Sequence, residues 1–85
     1  MTIQVTVRYF ASIREALGSG SESVHTAAPT LGALRDELSA RGGAHAAALA
    51  RGRAVRLALN QVLSEDAAPL ADGAEVAFFP PVTGG

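Results

Sequence analysis

Alternating apolar runs sit at both ends of this chain, with one clearly helical segment between them. Ile3, Val5, Val7 and Tyr9 alternate with Thr2, Gln4, Thr6 and Arg8, the period of a strand with one buried face. At the far end Asp72-Gly73 is a tight-turn signal, and Glu75–Phe79 reads as the last strand. In the middle, Thr30 follows Pro29 as a fitting N-cap. Leu31, Leu34 and Leu38 then fall on one helical face, with Arg35, Asp36, Glu37 and Arg41 placed opposite. Gly42-Gly43 are expected to end that helix.

Shorter elements fill the gaps. A turn of helix is expected at Ala11–Leu17, closed by Gly18-Ser19-Gly20, and a second strand at Glu22–Ala27, antiparallel to the first. Ala44–Arg51 reads as a short helix with His45 exposed. Val55, Leu57 and Leu59 alternate as a third strand, Asn60-Gln61 make a turn, and Val62-Leu63 begin a fourth. Strands clustered at both ends of a central helix predict an α+β fold, one sheet wrapped over one main helix.

Eighty-five residues support one core. A content of 48% apolar and 18% charged residues fits a folded globular chain. With a net charge of −1 and no basic stripe, nucleic-acid binding is not expected. No signal peptide is expected at the start, and no apolar run reaches the roughly 20 residues of a spanning helix. The absence of cysteine removes disulfides, thiolate metal ligands and thiol nucleophiles, making a reducing cytoplasm the default location. All seven basic residues are arginine, so there is no lysine ε-amine for a Schiff base or isopeptide bond.

Catalytic constellations find little support. His25 and His45 stand 20 residues apart, with no pattern to complete a metal site. No nucleophile elbow is present, and Gly18-Ser19-Gly20 lacks the later glycine of a phosphate-binding loop. Glu65-Asp66 and Asp36-Glu37 read as solvated pairs. The chain is expected neither to bind a metal nor to catalyse unaided.

Two features carry more information. One is the ending, Pro80-Pro81-Val82-Thr83-Gly84-Gly85. The prolines close the last strand, and six extended residues reach roughly 20 Å at about 3.3 Å each. Residues 1–79 are expected to form the domain and 80–85 an extended tail whose slim tip exposes the carboxyl group of Gly85. The other is three adjacent apolar pairs, Tyr9-Phe10, Val62-Leu63 and Phe78-Phe79. Neighbours on a strand face opposite ways, so one of each pair is expected on the open side of the sheet, forming an apolar patch for a partner.

Arg8-Tyr9-Phe10-Ala11-Ser12-Ile13-Arg14-Glu15, Leu59-Asn60-Gln61 and the run from Leu70 to Gly85 together resemble the small-subunit family of molybdopterin synthase. The resemblance runs end to end, and the tail is its specific part. It implies a β-grasp, ubiquitin-like fold with a mixed sheet. It also implies a sulfur carrier with no bound cofactor, acting in molybdenum cofactor biosynthesis. In this family an E1-like enzyme uses ATP and Mg²⁺ to adenylate the terminal glycine, which then becomes a thiocarboxylate. The large synthase subunit, in a heterotetramer, takes in the tail, and sulfur passes to a cyclic pyranopterin to build the dithiolene. Gly85 is thereby implied as the reactive residue, Gly84, Thr83 and Val82 as the threaded tail, and Phe10, Leu63 and Phe79 as the docking surface.

Three alternatives share parts of this pattern. A thiamin-pathway sulfur carrier has the same fold and Gly-Gly end but usually lacks the Phe-Phe-Pro-Pro run. A ubiquitin-like modifier would be joined to lysines of other proteins. A plain β-grasp interaction module would carry an inert tail.

Overall fold

The computed structural model describes residues 2–81; the expected tail positions Val82, Thr83, Gly84 and Gly85 lie outside them. Strands β1 (Ile3–Tyr9) and β2 (Ser21–Thr26) flank helix α1 (Ala11–Leu17). Helices α2 (Leu31–Ser39) and α3 (Gly43–Leu49) follow, then β3 (Arg56–Leu59), β4 (Val62–Ser64) and β5 (Glu75–Phe79). The five strands form one sheet in the order β2-β1-β5-β3-β4. β1 pairs antiparallel with β2 and parallel with β5, while β3 runs antiparallel to both β4 and β5. The first and last strands thus lie side by side at the centre of a mixed sheet packed against α2, the β-grasp arrangement.

The alternation decides which side is covered. Val5, Val7 and Tyr9 of β1, Val76 and Phe78 of β5, and Leu57 of β3 are buried with Leu31, Leu34 and Leu38 of α2 and Leu49 of α3. Each large side chain removed from water in this way stabilises by about 1.5–3 kcal/mol. The N-terminus of α2 is held as its sequence suggests, with Thr30 Oγ1 accepting from the Ala33 N–H at 3.2 Å. In the connection from β4 to β5 the chain turns at Gly73, whose φ of +84° favours glycine. Gly73 N–H donates to the Gln4 carbonyl at 2.7 Å, and Asp72 Oδ1 accepts from Gln4 N–H at 2.8 Å.

Three local expectations change. Gly42-Gly43 do not cap α2, which ends at Ser39; both glycines take positive φ at the start of α3. Arg35 does not belong to the solvated face. It is buried, and its guanidinium donates to the carbonyls of Leu49 (2.7 Å), Ala50 (2.8 Å) and Arg53 (2.9 Å). The Leu49 and Ala50 carbonyls lie at the end of α3 and that of Arg53 in the loop beyond it, and the forked donor gathers all three. Burial lowers the pKa of Arg35 from its ordinary value, with the neighbouring Arg51 adding to the effect.

The third change is His45, which is half-buried. Its ring meets Tyr9 edge-on with centroids 6.4 Å apart, and its Nε2 lies 3.3 Å from Arg41 Nη1. Arg41 also binds the carboxylate of Glu22 at 2.9 Å, and Glu22 accepts from the Tyr9 hydroxyl at 2.8 Å. Burial pushes the Tyr9 phenol well up, and the hydrogen bond to the Glu22 carboxylate adds to this. For Glu22 burial acts upward, but the bonds from Tyr9 and Arg41 outweigh it and hold the carboxyl below its usual range.

Candidate functional site

Among the described residues no layer covers the side of the sheet away from α2, and register determines what stands on it. Arg8 pairs with Ala77, Ala77 with Ala58, and Ala58 with Leu63, so one row crosses four strands. In the next row Phe79 pairs with Arg56. One residue beyond the Tyr9–Phe78 pair, Phe10 leaves the ladder on the same side, and its N–H donates to the Phe78 carbonyl at 3.1 Å. Phe10, Leu63 and Phe79, the three expected partner-facing residues, therefore share the open face. Phe10 is 40% exposed and Leu63 68%, while Phe79 is half-buried. Val62 is also exposed, but it lies opposite Leu59 on the other face, where β4 is an edge strand beyond the reach of α2.

Ala77 and Ala58 are almost fully buried although no layer covers them. Longer neighbours on the same rows shelter them, which makes the middle of the face a shallow apolar floor between Phe10, Phe79 and Leu63. Two backbone features set its edges. Ala11 takes a left-handed φ of +52°, turning the chain out of β1 into α1 so that Phe10 stays at the rim. Asn60 and Gln61, with φ of +50° and +70°, form the tight β3–β4 turn that places Leu63 beside Ala58. Asn60 also ties that turn to β5, because its Oδ1 accepts from the Glu75 N–H at 3.0 Å.

The C-terminal end of β5 leads into the Pro80-Pro81 stem. Phe79 ends the strand, and Pro80 borders a cleft of about 430 Å³ between α1 and α3, lined by Ser12, Ala16, Ala47 and Val55 among others. Among the described residues no group of three His, Cys, Asp or Glu side chains is placed to hold a metal ion, and no helix is long and apolar enough to cross a membrane. What the geometry offers is a one-sided apolar face that leads directly into the Pro80-Pro81 stem. The sequence did not mark Arg8 and Arg56 as part of this face; their register opposite Ala77 and Phe79 is the signal that does.

Similarity to known proteins follows the same outline. The chain is 44% identical over 81 residues to the molybdopterin synthase sulfur carrier subunit of Escherichia coli (strain K12), covering 95% of this chain and 99% of that protein. A Haloferax volcanii protein solved in solution superposes with a TM-score of 0.82 at 29% identity, over 99% of this chain and 88% of that one. A chain from the complex of subunits 1 and 2 of the molybdopterin-converting factor of Helicobacter pylori 26695 superposes at 0.64. It is 31% identical, over 98% of this chain and 100% of the other. Residues 7–85, from within β1 to the final glycine, match the ThiS family, and the chain belongs to that family.

Proposed function

We propose that this chain is the sulfur carrier subunit of molybdopterin synthase. The observation that carries the reading is its 44% identity, over nearly the full length of both chains, to the E. coli protein of that name. The open face is its physical support, because Phe10, Leu63 and Phe79 stand together beside the tail stem. A large subunit that buries this face would receive the tail in its own active site, and the subunit 1–subunit 2 complex from H. pylori is consistent with such pairing. The assembly is a heterotetramer in the cytoplasm.

The reactive group is the carboxyl of Gly85. In this reading an E1-like enzyme binds ATP and Mg²⁺, and the carboxylate attacks the α-phosphate with loss of pyrophosphate. The acyl adenylate then carries a good leaving group. A sulfur nucleophile displaces AMP and leaves a thiocarboxylate at Gly85. In the synthase that sulfur attacks the pyranopterin precursor, water then cleaves the resulting Gly85 thioester to leave sulfur on the product and return the carboxylate, and each dithiolene requires two such transfers. A chain without cysteine has no other place to carry transferable sulfur.

Intact-mass spectrometry of the chain, incubated with its activating enzyme, ATP and a sulfur donor, tests the reading. One oxygen-to-sulfur exchange confined to a C-terminal fragment containing Gly85 is expected. A mass that stays unchanged, with the activating enzyme shown to be active on another carrier, overturns it.

A further inference from the structure

Five of the seven arginines divide into two groups. Arg35 is held by three carbonyls, Arg41 by Glu22, and Arg51 by Asp36 and Asp66. Arg8 and Arg56 form no ion pair among the described residues. Both are exposed, and both stand on the open face on either side of β5, Arg8 opposite Ala77 and Arg56 opposite Phe79. The Arg8 guanidinium lies 5.4 Å from the centroid of the Phe10 ring. Glu75 is the one acid that β1, β3, β4 and β5 place on this face, and it sits in the row of Thr6, away from the tail. The tail end of the face is thus positively charged in a chain whose net charge is −1.

Covering Phe10, Phe79 and Leu63 also covers these two guanidiniums. A partner that brought only apolar surface would strip them of water with nothing in return. A carboxylate presented to each would make a charge-assisted, forked contact and would steer the encounter.

We propose that Arg8 and Arg56 are specificity residues of the docking face, and that the large subunit presents an acidic side chain to each of them around an apolar centre. This rests on the reading that the open face docks to that subunit.

The test is titration of the cognate large subunit with full-length wild type, Arg8→Ala/Arg56→Ala, Arg8→Lys/Arg56→Lys and Leu63→Ala. Affinities are compared between about 50 mM and about 500 mM salt. The double alanine variant is expected to bind about tenfold more weakly at low salt, with the gap closing at high salt. The lysine variant keeps the charge and should keep the wild-type salt dependence, which separates the charge from the stacking of Arg8 on Phe10. Leu63→Ala should weaken binding at both salt concentrations. If Leu63→Ala weakens binding while the alanine pair retains wild-type affinity and salt slope, the charge proposal is overturned and the docking face stands. If neither variant weakens binding, both readings fall.

Discussion

The ring of Phe78 lies nearly parallel to that of Tyr9 beneath the sheet, with centroids 6.1 Å apart and planes inclined by 18°. Both are essentially fully buried. The next residue, Phe79, leaves the strand on the opposite side, in register with Arg56. Two adjacent phenylalanines therefore do different work, and alanine at each should separate stability from binding. Phe78→Ala is expected to cost about 3–5 kcal/mol of folding stability. Phe79→Ala should cost much less, but it should weaken binding to the large subunit by on the order of 2 kcal/mol, roughly thirtyfold in Kd. Urea denaturation and titration against the partner distinguish them. A large drop in the Phe79→Ala denaturation midpoint with unchanged affinity would assign that ring to the core.

Stability should fall in acid partly through Glu22. Its carboxyl is held below the usual range in the folded state, so its contribution is full above the unfolded pKa. That contribution disappears as the pH falls through the folded one. Tyr9 has the opposite sign. Its phenol is raised by burial and by Glu22, so its contribution holds below about pH 10 and is lost as pH rises past that value. Tyr9→Phe removes the hydrogen bond between the two groups and keeps most of the ring packing. The variant should lose about 1 kcal/mol at neutral pH and show a shallower loss between pH 5 and pH 3 than wild type (about the usual carboxylate range). Denaturation midpoints measured across that range provide the check, and parallel curves for the two proteins would refute the coupling.

Arg35 fastens the end of α3 to α2. Replacing it with Met keeps much of the side-chain volume but removes the guanidinium from the carbonyls of Leu49, Ala50 and Arg53, of which Ala50 retains the Arg53 N–H. Loss of such bonds in a partly buried loop should cost about 2–3 kcal/mol. Arg35→Lys retains the charge but not the fork, and should recover only part of the loss. Hydrogen exchange at the amides of Ala50 and Arg53 should quicken in both variants, more in Met than in Lys. Unchanged exchange would show that the loop holds without the guanidinium.

Most of the element order was legible because alternation and the Leu31–Leu34–Leu38 stripe are local signals. Arg35 was misplaced because its acceptors arrive from 14 to 18 residues downstream. One clue was available: Arg35 sits four residues after Leu31 and so lies beneath it on the buried side of the helix. His45 was misread for the same reason, since Tyr9 and Glu22 reach it from strands distant in sequence. The parallel pairing of β1 with β5 has no local signature either. Alternation requires that Phe78 and Phe79 face opposite ways, but only their register with Tyr9 and Arg56 decides which one is inside. The apolar members of the open face were therefore readable as pairs, while its two arginines were not.

Removal of Gly85, or of Gly84-Gly85, should leave folding intact and abolish sulfur transfer. Among the described residues the buried core lies between Val5 and Phe78, so truncation at Gly84 or Gly85 leaves that core whole. The stability change should be less than about 0.5 kcal/mol. Affinity for the large subunit through the open face should persist, whereas thiocarboxylate formation and dithiolene production should both be lost. Gly84→Val is a milder version of the same test. It keeps the terminal carboxyl but adds β-branched bulk that disfavours positive φ, so loading and turnover should both slow if the tail enters a narrow channel. Mass analysis of the loaded carrier and turnover with purified large subunit measure the two steps separately. A truncated chain that still supports dithiolene formation would remove Gly85 from the chemistry and leave the open face as the only part of the proposal still standing.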